Sequence, residues 1–281
     1  MSLLEAVVLG VIQGLTEFLP ISSTAHLRIV PALLKLVDER NQWNDPGAAA
    51  SAIIQLGTLV AVLWYFWRDV VNITMAALRG IRDREPFATV DSRLAWYGLI
   101  GTIPIVVCGL VFEEFIESQA RSLWIITAAL VGLAVILYWA ERVATRHRTE
   151  SDVTWVDAIV MGVAQALALI PGSSRSGTTI TAGLFLGLRR DVAARLSFLL
   201  SIPALVSSGL YQLYEVRHEL INHPQFGVSL LVASVTSLLS GYAAIAFLMR
   251  YLRTHTTYLF IWYRLVLGGV LIGLLWAGKI Q

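Results

Sequence analysis

Charge is scarce in this sequence. Only 14% of its 281 residues are Asp, Glu, Lys or Arg, against about 25% in a typical soluble domain. With a hydrophobic fraction of 57% and a mean hydropathy of +0.70, this excludes a disordered chain, a coiled coil and an ordinary soluble enzyme. It points to a protein whose outer surface faces lipid. The net charge of +2 is too small to argue for nucleic-acid binding. Cysteine is nearly absent. Cys108 stands alone, so no intrachain disulfide can form, and its apolar run gives it the part of a small buried hydrophobe. No Lys or Arg precedes Arg28, so the positive n-region of a cleavable signal peptide is missing and none is expected.

What the sequence has is length of apolar chain. A helix crossing a bilayer needs about 20 apolar residues. The stretches 49–67, 94–112, 122–140, 196–214 and 224–249 carry no charge, and 256–278 carries only Arg264. The expected fold is an all-α polytopic membrane protein with six transmembrane helices. Two further apolar regions are interrupted: 6–27 by Glu17, Pro20 and His26, and 158–188 by Pro171, Gly172 and Arg175. Each reads as a re-entrant helical hairpin around a polar turn, which a bilayer tolerates where protein covers the backbone.

The two interrupted regions echo each other. Gly10-Val11-Ile12-Gln13-Gly14-Leu15 matches Gly162-Val163-Ala164-Gln165-Ala166-Leu167, and Pro20-Ile21-Ser22-Ser23 matches Pro171-Gly172-Ser173-Ser174. The offset is 152 before the turn and 151 after it, a one-residue gap. Three long spans follow each hairpin, so the chain reads as one membrane domain made of two copies, about 1–145 and 153–281. An odd number of crossings turns the second copy upside down, giving an inverted-topology repeat. Placing the 68–93 loop in the cytoplasm puts thirteen Lys or Arg inside and six outside. By the positive-inside rule both termini then lie outside, with the first hairpin entering from the outer face and the second from the cytoplasmic face.

A charge inside a bilayer costs roughly 2.5–3.5 kcal/mol on insertion scales, so Glu17, His26 and Arg175 need a reason. Gln13 and Glu17 are four apart and share a helix face. Pro20 ends that helix. Ser22, Ser23 and Thr24 then open the next one, with His26 a turn further on. The second turn offers Ser173, Ser174, Arg175, Ser176, Gly177, Thr178 and Thr179. A helix N-terminus carries free N–H groups and a partial positive charge. With hydroxyls and an Arg it forms a phosphate cradle, and glycine lets the backbone approach the ligand. Glu17 with Gln13 suits a hard divalent cation bound through oxygen, while Ser or His supplies a nucleophile or a general base. If the two tips meet, these are the parts of a phosphoryl-transfer site.

Each residue also has a plainer reading. The serines are helix caps, Gln13 and Gln165 hydrogen-bond between helices, His26 sits at an interface, and Glu17 and Arg175 form a structural ion pair. Arg264, two turns into its span, reads as a snorkelling side chain, with balancing of the site's charge as the alternative. The weight lies in the joint placement of Glu17 and Arg175 in two matching turns. A secondary transporter or flippase of a phosphorylated lipid, built on the same inverted-repeat plan, is the rival function.

The segment Gln13-Gly14-Leu15-Thr16-Glu17-Phe18-Leu19-Pro20-Ile21-Ser22-Ser23-Thr24-Ala25-His26 closely resembles the first signature of the bacterial undecaprenyl-diphosphate phosphatase family, also called the bacitracin-resistance protein family. Pro171-Gly172-Ser173-Ser174-Arg175-Ser176-Gly177-Thr178-Thr179 resembles its second. Chain length, motif spacing and segments such as Ile54-Gln55-Leu56-Gly57 and Phe198-Leu199-Leu200 extend the likeness over the whole sequence. The resemblance implies a multi-pass protein of the bacterial plasma membrane that hydrolyses undecaprenyl diphosphate to undecaprenyl phosphate and inorganic phosphate. That reaction recycles the lipid carrier for peptidoglycan synthesis and gives resistance to bacitracin. It further implies a divalent cation, Mg²⁺ or Ca²⁺, and a site open to the outer face. The family's acidic motif is Glu or Gln, three residues, then Glu. Here it is Gln13 and Glu17, so an amide replaces one of two metal-binding carboxylates.

By position, the catalytic residues are Glu17, Ser23, His26 and Arg175. In the working assignment Ser23 attacks phosphorus with His26 as base, while His26 or an activated water remain open as nucleophiles. Ser22, Thr24, Ser173, Ser174, Ser176, Gly177, Thr178 and Thr179 bind substrate, and Gln13 and Glu17 hold the metal. The expected partners are the undecaprenyl lipid and surrounding membrane lipids, with no nucleic acid. Homo-oligomerisation is left open.

Overall fold

The computed structural model describes residues 1–37, 47–112, 114, 116, 120, 122–222 and 224–280. The described chain is helical, apart from one isolated bridge between Arg148 and Leu188. The first hairpin is α1 (Leu3–Phe18) and α2 (Ser23–Val37), followed by α3 (Gly47–Tyr65), α4 (Trp67–Arg82), α5 (Val90–Val111) and α6 (Leu123–Val143). The second hairpin is α7 (Trp155–Leu167) and α8 (Arg175–Phe185), followed by α9 (Arg190–Glu215), α10 (Arg217–Asn222), α11 (Pro224–Tyr251) and α12 (Tyr258–Trp276). Side-chain caps start several of them. Ser2 and Glu5 form a capping box on α1, Thr154 and Asp157 form one on α7, and Thr89 and Ser122 cap α5 and α6. Each supplies an oxygen to an amide that has no partner within the helix.

Among the described residues five helices are long and apolar enough to cross a bilayer: Val90–Val111, Leu123–Val143, Arg190–Glu215, Gln225–Tyr251 and Tyr258–Trp276. The sixth expected span, α3, meets the same standard together with α4, from which it is bent by 78°. This corrects the reading of 68–93 as a loop. All of its first half is the helix α4, which turns away from α3 at Phe66. Arg68, Asp69, Arg79 and Arg82 interrupt its apolar positions, and Trp67, Met75, Leu78 and Ile81 are exposed. Such two-sided character suits a helix lying along the bilayer surface. Cys108, expected to be buried, is half-buried on α5.

Where the first hairpin helix crosses α11, only small residues fit. A Cβ on Gly10 would lie 2.3 Å from the Ala233 carbonyl oxygen, and one on Gly14 would lie 2.4 Å from that of Ser237. Gly57 of α3 is equally tight, 2.0 Å from the Ser234 carbonyl oxygen. In the second half α7 meets α5 the same way, with Gly162 at 2.5 Å from the Gly101 carbonyl oxygen. Between membrane helices, where burial away from water offers no drive, close backbone approach supplies the packing energy. One shared core lies below the hairpin tips. Phe18, Val62, Phe66, Leu137, Ile180, Phe198, Leu248 and Ile261 all belong to it. Phe18 meets Phe198 edge-on at 5.2 Å, which fixes the end of α1 against α9.

Candidate active site

Both turns hold the same unusual backbone. Ser22 and Ser174 have φ of 73° and 72°, the left-handed region that non-glycine residues seldom enter. Each immediately precedes a helix, α2 or α8. Their offset is 152, so the backbones pair Ser22 with Ser174 and Ser23 with Arg175, without the one-residue gap that the letters Pro-x-Ser-Ser suggest. Each serine caps its own helix: Ser22 Oγ accepts from the Ala25 amide at 3.3 Å and Ser174 Oγ from the Gly177 amide at 3.1 Å. Gly172, at φ 97°, lies where a Cβ would come 2.3 Å from the Ile126 carbonyl oxygen. Only glycine fits there.

The tips meet at Glu17. Its Oε2 accepts from Gln13 Nε2 at 2.7 Å, from Ser23 Oγ at 2.7 Å and from Gln55 Nε2 at 3.3 Å. Its Oε1 is held by Arg175 Nη2 from the other hairpin. The pair is buried, with side-chain exposures of 3% for Glu17 and 12% for Arg175. Arg175 Nη1 also donates to the Ser201 carbonyl at 3.3 Å. A second link joins the hairpins where Ser176 Oγ donates to the Leu19 carbonyl at 3.0 Å.

A cavity of about 440 Å³ opens over this pair. Glu17, Ser22, Ser23, Thr24, Ser174 and Arg175 line it, and Glu17 and Arg175 are its charged residues. The N-termini of α2 and α8 therefore both border it, each adding a partial positive charge. Ile105, Val106 and Leu110 of α5 bring apolar surface to it, while Ser207, Tyr211 and Gln212 of α9 bring polar groups.

Other expected site residues stand behind the cavity. Ser173 is buried, and its carbonyl accepts from Arg264 at 3.4 Å. Thr178 Oγ1 and Thr179 Oγ1 donate to the Arg175 carbonyl at 3.0 and 2.7 Å, and Thr179 Oγ1 also meets Ser197 Oγ at 2.5 Å. Gly177 is confined by Leu133 and Ser174. These residues set the first turn of α8 and so aim Arg175. His26 is also set back. Its Nδ1 lies 2.6 Å from the Ser22 carbonyl oxygen and its Nε2 2.6 Å from Tyr263 Oη. A carbonyl only accepts, so Nδ1 carries the hydrogen. His26 and Tyr263 stack at 5.6 Å. The hydrogen bond of Ser23 Oγ goes to Glu17, not to His26.

Arg264 does not snorkel. It is 0% exposed and donates to five carbonyls: Leu130 at 2.9 Å, Gly172 at 3.0 Å, Pro20 at 3.2 Å, Ala129 at 3.3 Å and Ser173 at 3.4 Å. One guanidinium thus ties both hairpin turns to α6. Sequence reasoning missed this clamp, and it missed Gln55 and Tyr263. The signal for Gln55 was an amide in a charge-free apolar run.

A carboxylate, a guanidinium and hydroxyls at two helix N-termini, set among apolar helices long enough to cross a bilayer, define a membrane protein with a polar cavity inside its helical bundle. Residues 6–270 match the family described as bacitracin resistance protein BacA, and the chain belongs to that family. It is 53% identical to a protein named undecaprenyl-diphosphatase from Chloroherpeton thalassium, over all of this chain and 99% of the relative. A protein of the same name from Myxococcus xanthus is 53% identical, over all of this chain and 92% of the relative. One from Chlorobium chlorochromatii is 52% identical over the full length of both.

Proposed function

We propose that this chain is an undecaprenyl-diphosphatase of the bacterial plasma membrane. It hydrolyses undecaprenyl diphosphate to undecaprenyl phosphate and inorganic phosphate, recycling the lipid carrier for cell-wall synthesis and conferring resistance to bacitracin. The observation that carries this is the meeting of Glu17 and Arg175, 158 residues apart, in a cavity between apolar helices. The names of its relatives support hydrolysis over the transporter reading.

The terminal phosphate takes Arg175 and the first-turn amides of α8 and α2 as its cradle. As Arg175 turns to the phosphate, the Glu17 carboxylate stays hydrogen-bonded to Ser23 Oγ and is placed to accept its proton. Ser23 Oγ, already donating to Glu17 at 2.7 Å, gives up its proton and attacks the terminal phosphorus. The bond from that phosphorus to the bridging oxygen breaks, and undecaprenyl phosphate leaves. Water then cleaves the seryl phosphate, restoring Ser23 and releasing inorganic phosphate. His26 holds the turn that presents Ser23, through the Ser22 carbonyl and Tyr263.

A divalent cation, Mg²⁺ or Ca²⁺, belongs to the same reading. Gln13 must turn its Nε2 toward the Glu17 carboxylate, which leaves its Oε1 buried with no hydrogen-bond partner. That oxygen and Glu17 fit a hard cation, with the substrate's phosphates completing the set. When bound, the cation neutralises phosphate charge. Among the described residues no three acidic, His or Cys side chains cluster as a site of their own. In this reading the headgroup shares in holding the metal.

The inverted repeat belongs to the proposal as well. It is supported by the matching φ at Ser22 and Ser174 and by the parallel crossings of α1 on α11 and α7 on α5. Phosphate release from undecaprenyl diphosphate in detergent tests the function. Activity lost in EDTA and regained with Mg²⁺ or Ca²⁺ is expected. Arg175→Ala and Glu17→Ala should each reduce the rate about a hundredfold or more. Near-native release from both variants would refute the assignment.

A further inference from the structure

We propose that a second, apolar cavity between α4, α5, α7 and α9 holds the distal isoprene units of the substrate's tail, an inference that rests on the diphosphatase reading. The cavity measures about 310 Å³. Val70, Ile73, Leu94, Met161 and Leu199 are typical of its wall, and Thr74 and Tyr97 bring its hydroxyls. No charged residue lines it, so its chemistry selects hydrocarbon.

The two cavities are stacked along the same helices. Leu94–Leu99 of α5 line the apolar one, and Ile105–Leu110 the one over Glu17 and Arg175. On α9 the division falls between Pro203 and Ala204. Ala158 and Met161 of α7 line the apolar cavity, while Ala168 and Leu169, just past its end, line the one over Glu17 and Arg175. The neck between them sits at Gly101. A Cβ there would lie 2.9 Å from the Ala158 carbonyl oxygen and 2.8 Å from Leu200 Cδ1. Backbone closes the neck on the α7 side. On the α9 side it is closed by a side chain, Leu200, which a rotamer change moves aside.

These helices offer the tail a continuous direction to run. Its headgroup is drawn in to the hairpin tips, and an undecaprenyl chain of eleven isoprene units is too long for the half-bilayer of about 15 Å outside them. The remaining units continue past the tips along α5 and α9. The cavity opens at the protein's surface and lies on the same helices as the site, and the hydrocarbon tethered to that site is the substrate's own tail. Surrounding lipid is as apolar as the wall, so the cavity contributes packing and chain-length selectivity rather than a hydrophobic drive.

Gly98 tests this, because a Cβ there meets nothing within 4 Å and the residue lines the cavity. Gly98→Trp fills the space. The ratio of kcat/KM for undecaprenyl diphosphate to that for geranyl diphosphate, whose two isoprene units end within the first cavity, should fall about fivefold, or about 1 kcal/mol. Ala77→Phe, entering from α4, should lower the same ratio. In the unaltered protein, an undecaprenyl diphosphate analogue with a diazirine on a distal isoprene unit should label peptides of α4 and the first half of α5. The inference is overturned if both variants leave the ratio unmoved, or if the label falls only on the lipid-facing side of α5, which would mean that phospholipid acyl chains fill the cavity. If either variant does not fold, the labelling decides. A wild-type protein that releases phosphate from neither substrate would instead sink the diphosphatase reading.

Discussion

Arg264 is a full positive charge in the interior with backbone carbonyls as its partners. Five of them come from three segments, the two hairpin turns and α6. Arg264→Met leaves these oxygens without donors at about 1–3 kcal/mol for each that finds no replacement. The expected result is loss of folded protein in detergent. Arg264→Lys should recover part of the melting temperature, because three donors on one nitrogen cannot span what a planar fork of five does. Gln55 gives a milder test. Its hydrogen bond to the Glu17 carboxylate at 3.3 Å is one to a charged group, whose loss costs about 1.5–3 kcal/mol of stability, so Gln55→Ala should lower the melting temperature less than Arg264→Met does and slow phosphate release by loosening the carboxylate. Tyr263→Phe removes only the hydroxyl at 2.6 Å from His26. It should lower stability by about 1 kcal/mol and lower kcat only through the position of Ser23. Glu17 and Arg175 were legible in the sequence because a charge in an apolar run needs a reason. The charge of Arg264 was equally visible, but its carbonyl partners lie 91 to 244 residues away, and a carbonyl leaves no mark in a sequence. His26 was legible as polar and important, yet its partner, the Tyr263 hydroxyl, belongs to the last helix.

At the scale of helices the long spans were the most legible feature, since twenty apolar residues in a row have few uses other than crossing a bilayer. Helix α4 was hidden because its Arg and Asp residues break the apolar run. Only the 78° bend at Phe66 reveals that the chain stays helical while leaving the direction of α3. The glycines of the crossings were visible as letters, but their need was not. Gly14 and Gly57 sit against backbone atoms, at 2.4 Å from the Ser237 carbonyl oxygen and 2.0 Å from the Ser234 carbonyl oxygen, and backbone cannot step aside as a side chain can. Gly14→Ala and Gly57→Ala should each cost about 1–3 kcal/mol, read as an earlier unfolding midpoint in detergent. Gly273→Ala is the control, because its Cβ would meet nothing within 4 Å. Equal melting of all three variants would show that these crossings are looser than their distances say.

At the scale of the whole molecule the orientation in the membrane decides which leaflet supplies the substrate. Charge bias argues for both termini outside, with thirteen Lys or Arg on the inner segments and six on the outer. The Arg-rich end is also where ion pairs tie helices together. Arg195 bonds Asp69 at 2.8 Å and pairs with Glu150, Arg148 bonds Asp157 at 2.9 Å, and Glu141 takes Arg190 together with Thr257 Oγ1 at 2.8 Å. These links join α4, α6, α7, α9 and the start of α12, and a face held that way is ill suited to opening. The cavity over Glu17 and Arg175 lies against the other halves of α5 and α9. With Cys108 changed to Ala, single cysteines report the sidedness directly. Ala88→Cys and Ser151→Cys stand on exposed positions of the Arg-rich end, while His218→Cys and Lys279→Cys stand on exposed positions of the opposite end. A membrane-impermeant maleimide added to intact spheroplasts should modify the second pair and reach the first only after permeabilisation. The reverse pattern would place the site toward the cytoplasm, and hydrolysis would then draw on lipid in the inner leaflet.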